Sequence, residues 1–401
     1  MAVRPIGDST RSPSTLPALS AGVTASAVLI GALSISFATA EALALSERAV
    51  ATWIMVQFGI PGLLGLVLAG IYRQPLLLIP NTTSIIFFGS LAGQIPWSAI
   101  VGSAIVAGLV LTVLGVFRLT SRLATVVPAP IILGVVGGAV LPFVLNLFGS
   151  LQAHPVLIGG MITAFLLGPR LTGSRIPSIV FALVLGLIII IVSGDVQRPT
   201  DAWAITTPQL VSPTITLPAL VTIVPVIVTL VALQANLSSI VYLRNEGYRT
   251  PDRVIDIAGG ASTAAASIFG PVPVSLAGFV TPIVGGPEAG DRRLRHVSIY
   301  VVGVVAIAIA AAGALAMDAR AMVPEAFLLA LVGLATLAVL QQALTEITRG
   351  PIRLGPLIAF VVALSDLTLF DLGPLFWSLV LGLTVTLLVE SREYRANRVT
   401  T

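Results

Sequence analysis

The run Ile268-Phe269-Gly270-Pro271-Val272-Pro273-Val274-Ser275-Leu276-Ala277-Gly278-Phe279 is strongly apolar, yet it cannot be one continuous helix. Pro271 and Pro273 each lack an amide hydrogen and push the preceding residue towards extended geometry, so the backbone from Gly270 to Val274 is expected to be strand-like. Ser275 then reads as the cap of a new helix that runs from Leu276 until Gly285-Gly286-Pro287 stops it. A second segment of this kind lies upstream, in Arg73-Gln74-Pro75-Leu76-Leu77-Leu78-Ile79-Pro80-Asn81-Thr82-Thr83-Ser84. There an extended piece between prolines precedes a polar cap, Asn81 or Thr82, and a short apolar helix. Paired interrupted segments point to a transporter substrate site. Proline also kinks ordinary membrane helices for packing reasons, so the weight of this reading rests on the rest of the chain.

Hydrophobic residues make up 56% of the sequence and charged residues 9%, against roughly one-quarter charged in soluble domains. This is the composition of a polytopic membrane protein. At about 20 residues per crossing, 401 residues leave no room for a sizeable soluble domain. Cysteine is absent, which excludes disulfides, thiolate metal sites and cysteine nucleophiles. The two histidines, His154 and His296, sit beside loops and make a poor ligand set, so no metal and no cofactor is expected. The net charge of +4 comes from arginine, since no lysine occurs. Those arginines are dispersed between apolar runs, which is the pattern of membrane topology rather than of nucleic-acid binding. Without paired mid-span carboxylates an intramembrane enzyme is not expected.

Residues 1–16 are polar and read as a cytoplasmic tail. The first apolar run starts late and continues at spanning length, unlike a cleaved signal peptide. Fourteen apolar runs follow, the third at 75–92, the eighth at 217–243, the ninth at 254–269 and the tenth at 271–287. With a cytoplasmic amino terminus and every run crossing, all of the 21 arginines except Arg48, Arg198 and Arg320 fall on the cytoplasmic side. That bias collapses if either proline-broken run fails to cross. The stretch 194–216, with Asp195, Arg198, Pro199, Asp201, Pro208 and Pro213, separates seven runs from seven. An odd number inverts the second half. The expected fold is therefore an all-α polytopic membrane protein of 14 transmembrane segments, a 7+7 inverted repeat of 17–193 and 217–391, followed by a tail at 392–401. Segments three and ten are expected to be half extended and half helical. Gly134 with Gly138, and Gly62 with Gly65, read as close helix packing.

In this topology the helix starts of segments three and ten meet near the bilayer centre, each with about half a positive charge. Two such ends favour an anion or an acceptor such as a carboxylate. Segment eight adds Gln234, Asn236, Ser238 and Ser239; Gln234 and Ser238 share one helix face, and Asn236 and Ser239 another. The structural alternative for such residues is interhelical hydrogen bonding without substrate contact. The candidate substrate-binding residues are Asn81, Thr82, Thr83, Gln234, Asn236, Val274 and Ser275, with Thr24, Ser26, Ser34 and Ser36 of the first span as weaker candidates. No carboxylate falls in the middle of segments one, three, eight or ten. The acids nearest membrane depth, among them Glu325, Glu346, Asp366 and Asp371, read as solvated span ends. A proton-coupled carrier usually keeps a buried acid, so the proton carrier stays open, the cargo's own carboxyl included.

Several stretches resemble the benzoate/proton symporter (BenE) family, related to uracil-permease and sulfate-permease transporters. They are Asn236-Leu237, Leu243-Arg244, Gly247-Tyr248, Phe269-Gly270, Gly286-Pro287-Glu288-Ala289 with Arg292-Arg293, Pro324, Gly333-Leu334-Ala335 and Phe376-Trp377, and in the first half Thr24-Ala25-Ser26 and Gln74-Pro75. The resemblance implies benzoate as cargo, proton symport and, often, a homodimer. It also implies a core domain of segments 1–4 and 8–11 moving against a gate domain of segments 5–7 and 12–14. The residues themselves point to a secondary transporter of a small organic anion in a bacterial-type cytoplasmic membrane, its partners the lipid bilayer and the cargo. A nucleobase or inorganic-anion carrier remains an alternative, as does a channel-like or structural membrane protein.

Overall fold

The computed structural model describes residues 14–120, 128–171, 178–195, 207–278, 280–315, 324–370 and 372–400. Of the residues named above, Arg198, Pro199, Asp201, Phe279, Arg320 and Asp371 lie outside this set, as do residues 1–13 of the tail and the side chains of Ser34 and Glu325.

A chain in lipid must satisfy its own backbone, so uninterrupted apolar runs become helices. They are α1 (Leu16–Ala42), α2 (Glu47–Tyr72), α4 (Trp97–Val116), α5 (Ala129–Ser150), α6 (Pro155–Leu171) and α7 (Ser178–Ser193). After them come α8 (Leu217–Asn245), α9 (Asp252–Ala266), α11 (Val297–Leu315), α12 (Glu325–Arg349), α13 (Leu354–Ala363), α14 (Pro374–Val389) and α15 (Ser391–Thr400). Among the described residues six helices are long and apolar enough to cross a membrane, and five shorter ones are also apolar. The two broken runs form β1 (Leu78–Pro80) leading into α3 (Thr82–Ser90), and β2 (Val274–Leu276) followed by α10 (Thr281–Gly285).

Packing follows a regular scheme. α2 lies against α11 and α4 against α9; α1 touches α11 and α4 touches α8; α6 packs on α7 and α13 on α14; α5 lies against α12. Glycines set the closest approaches. A Cβ at Gly108 would stand 2.4 Å from the Ala264 amide, one at Gly260 2.4 Å from the Thr112 amide, and one at Gly134 2.4 Å from the Pro356 carbonyl. A separate apolar cluster of Leu147, Ile158, Met161, Ala182, Phe327 and Leu331 joins α5, α6, α7 and α12.

β1 and β2 pair antiparallel in the register Leu78↔Leu276, Ile79↔Ser275 and Pro80↔Val274. The ladder continues through Asn81 N–H to the Pro273 carbonyl at 2.8 Å and Ala277 N–H to the Leu77 carbonyl at 2.9 Å. Bonded and non-bonded pairs alternate, so Pro80, which has no N–H, falls at a non-bonded position and forfeits nothing. The outer edge of β2 is closed by side chains. Val272 N–H donates to Ser267 Oγ (3.1 Å), Val274 N–H to Thr263 Oγ1 (2.9 Å) and Leu276 N–H to Asn236 Oδ1 (2.8 Å). Trp53 Nε1 donates to the Pro271 carbonyl at 2.9 Å.

Two local expectations are overturned. Ser275 caps no helix; it lies in the middle of β2, and the helix beyond is only Thr281–Gly285. Pairing with β1 holds the chain extended past Ser275, and the turn forms only where the Val280 and Thr281 amides return to the Ala277 carbonyl. In α8, residues Leu230–Leu237 form a π-helix, with α-helix on either side. The wider turn changes which residues share a face, so the three- and four-residue spacings do not apply there.

Beyond α10 the chain turns through Pro287–Ala289, and Arg295, only 8% exposed, pins that turn. Its Nη1 donates to Glu246 Oε2 at 2.9 Å and to the Gly285 carbonyl at 2.5 Å, and its Nε to the Gly290 carbonyl at 2.9 Å. Burial pushes the neighbouring Tyr248 hydroxyl up to about 12, so it remains a neutral donor to the Arg292 carbonyl. Arg295→Met is expected to destabilise the fold by about 3 kcal/mol, the lower end for breaking a buried ion pair. Detergent-solubilised protein should show this as a lowered melting temperature, and an unchanged one would remove Arg295 from this role.

Candidate functional site

The paired strand tips open onto a cavity of about 270 Å³. Its walls are Asn81, Thr82 and Thr83 at the start of α3, Gln234, Ala235 and Ser238 of α8, Ser275, Leu276 and Gly278 of β2 and the turn after it, and Gln342 of α12. Ligand pockets for drug-sized molecules run roughly 300–1,000 Å³. A molecule that fits here is small.

Asn81 holds the two broken segments together. Its Oδ1 accepts from the Ser84 amide at 2.9 Å and the Ser84 hydroxyl at 2.7 Å, capping α3 as the sequence suggested, and its Nδ2 donates to Ser275 Oγ at 3.1 Å. With Ser84 capped, the Thr82 and Thr83 amides remain as the leading donors of α3, which has no earlier turn to receive them. Thr82 Oγ1 is buried and has no hydrogen-bond partner. Gln234 Nε2 donates to Gln342 Oε1 at 3.2 Å across the cavity, which leaves the Gln342 NH₂ group for another acceptor. Among the described residues no charged side chain lines the cavity. Neutral donors at the positive end of a helix are suited to one small anion.

Five of the seven candidates, Asn81, Thr82, Thr83, Gln234 and Ser275, therefore share one cavity. Val274 does not line it; its side chain is fully buried in the core. Asn236 stands behind β2, its Oδ1 taken by the Leu276 amide and its Nδ2 donating to Asp256 Oδ1 at 3.1 Å. In the first span Thr24, Ser26 and Ser36 donate to carbonyls four residues earlier and do not line the cavity.

Three residues went unrecognised in the sequence. Gln342 left a signal, as one of a Gln341-Gln342 pair inside an apolar span. Gly278 left none. Asp256 lies two residues beyond the start of the ninth run, but α9 begins at Asp252, which places Asp256 a turn inside, 8% exposed. Its Oδ2 accepts from Thr120 Oγ1 at 2.6 Å. Asp256 and Thr120 line a second cavity of about 500 Å³ that also carries Arg118, Arg244 and Arg253. A third, of about 360 Å³, includes Gln94, Thr222, Asp366 and Thr368.

The sequence model of a family described as "BenE: Benzoate membrane transport protein" matches residues 12–388. The inner membrane protein YdcO of Escherichia coli K12 is 25% identical over 314 residues, 78% of this chain and 80% of that protein. Among solved structures, the transmembrane domain of the cyanobacterial bicarbonate transporter BicA superposes with a TM-score of 0.58 at 16% identity, covering 95% of this chain and 96% of that one. The murine Slc26a9 anion transporter in its inward-facing state gives a TM-score of 0.66 at 14% identity, over 96% of this chain and 69% of that one. These likenesses establish a helical membrane-transporter fold.

Proposed function

Because the chain belongs to the BenE benzoate membrane transport family, we propose that it is a secondary active transporter that carries a small aromatic carboxylate such as benzoate, with a proton, across a bacterial cytoplasmic membrane. The observation that carries this reading is the uncharged cavity of about 270 Å³ at the start of α3, where Thr82 Oγ1 lacks a partner. The carboxylate sits against the Thr82 and Thr83 amides and the Thr82 hydroxyl, and the ring lies towards Ala235, Leu276 and Gly278.

The seven-plus-seven inverted repeat is supported by the packing scheme. Exchanging each segment n with n+7 turns the α2–α11 contact into α9–α4, α1–α11 into α8–α4 and α6–α7 into α13–α14, and maps α5–α12 and β1–β2 onto themselves. The same contacts favour a core of segments 1–4 and 8–11 and a gate of 5–7 and 12–14. Gln342 on the gate then meets Gln234 on the core across the cargo. The arginine distribution favours the cytoplasmic side for both termini and for the cavity beside Arg118, Arg244 and Arg253.

Competition in proteoliposomes tests the cargo. Unlabelled benzoate and its ring-substituted relatives are expected to inhibit labelled benzoate uptake, whereas uracil and sulfate leave it unchanged. Inhibition by uracil or sulfate alone moves the assignment to a nucleobase or inorganic-anion carrier, and ion current without saturable uptake moves it to a channel.

A further inference from the structure

We propose that Asp256 carries the coupling proton, and that its charge is sensed at the cargo cavity through Asn236. This rests on the transporter reading above and gives the proton a place in it. Asp256 lies in the wall between two cavities. On one side is the 500 Å³ cavity, in whose lining the charged groups besides Asp256 are Arg118, Arg244, Asp252 and Arg253. Arg244 is ion-paired with Asp252, and among the described residues no arginine pairs with Asp256. On the other side, Asn236 Nδ2 donates to Asp256 Oδ1 at 3.1 Å, and Asn236 Oδ1 accepts from the amide of Leu276, which lines the cargo cavity. One amide side chain thus links a buried carboxyl to the backbone of the site. A buried acid with no basic partner among the described residues is costly to keep charged.

The partners permit both charge states. In the ionised form Thr120 Oγ1–H donates to Oδ2 and Asn236 to Oδ1. When a proton binds at Oδ2, the Thr120 hydroxyl rotates from donor to acceptor, a freedom a hydroxyl has and an amide lacks. Asn236 keeps Oδ1 throughout. Its bond weakens, because a charge-assisted hydrogen bond is roughly twice as strong as a neutral one. The hold on β2 therefore relaxes when the proton is aboard and tightens when it leaves. One bound proton offsets one negative charge of the cargo.

Asp256→Asn keeps the acceptor for Asn236 and cannot take a proton. In proteoliposomes with equal pH on both sides, the variant is expected to retain benzoate counterflow. Under an inward proton gradient it is expected to lose accumulation above equilibrium and the proton uptake that accompanies benzoate. Asp256→Glu should recover part of both. Gradient-driven accumulation by Asp256→Asn at the wild-type level overturns the proposal. So does loss of counterflow in both variants, which assigns Asp256 a structural role. Absence of counterflow in the wild type strikes at the cargo assignment, and infrared titration then decides on Asp256. A carboxylic-acid C=O band that titrates in the wild type and is missing from Asp256→Asn upholds the proposal, and identical spectra overturn it.

Discussion

Replacing Asn236 with leucine is expected to abolish uptake and to lower stability by about 2–6 kcal/mol, about 1–3 for each of the two buried groups that loses its bond to Asn236. Asn236 is 1% exposed and spends both ends of its amide on buried partners, the Leu276 N–H and Asp256 Oδ1. Leucine has similar volume, so the cavity term is small and the loss comes from the hydrogen bonds. The orphaned amide lies in β2, which forms a cargo-cavity wall together with the residue after next, Gly278. Uptake should fall with the melting temperature. Leucine at this position with wild-type transport contradicts the role of Asn236 as the peg on β2.

The second large effect is expected at Gly278. A Cβ there meets only ordinary neighbours, Ala235 Cα at 3.6 Å, the Gln234 carbonyl at 3.7 Å and Ser238 Oγ at 3.7 Å, all on cavity-lining residues. Gly278→Ala should therefore fold and transport. Gly278→Leu extends into the cavity and is expected to cut uptake about a hundredfold, equivalent to about 2.8 kcal/mol of lost binding, with an unchanged melting temperature. The pairing of variants separates occlusion from misfolding. Ser275 is a poorer choice for the same experiment, because at 1% exposure in the strand a bulky replacement disturbs the β1–β2 ladder as well. Equal transport by both Gly278 variants contradicts a cargo at this position.

What could be read from the sequence follows from which constraints are local. Pro80, Pro271 and Pro273 act on their own backbone and on the residue before, so the two extended pieces were visible without tertiary information. The cap at Asn81 was visible for the same reason. Ser275 failed as a cap because its conformation is set by Ile79, a residue almost two hundred positions away, and no local propensity reports that pairing. The π-helix at Leu230–Leu237 was hidden likewise, since no residue in it breaks an α-helix by itself. Asp256 is not legible from the apolar boundary alone. The run starts at Val254, but the helix starts at Asp252, and a displacement of two residues turns a solvated end into a buried group. Gln342 carried a usable signal in its polarity, yet its meeting with Gln234 depends on how the two halves pack.

Because the chain has no cysteine, a single Ser238→Cys variant gives the most direct test that this cavity holds the cargo. Ser238 lines the cavity and is exposed, and sulfur for oxygen changes little else. The account predicts that a soluble maleimide labels this thiol and that benzoate slows the labelling in a saturable way, while a thiol placed at the exposed Arg392 of the carboxy-terminal tail reacts at the same rate with and without benzoate. Labelling at position 238 that no small carboxylate slows, in protein that still takes up benzoate, would contradict it.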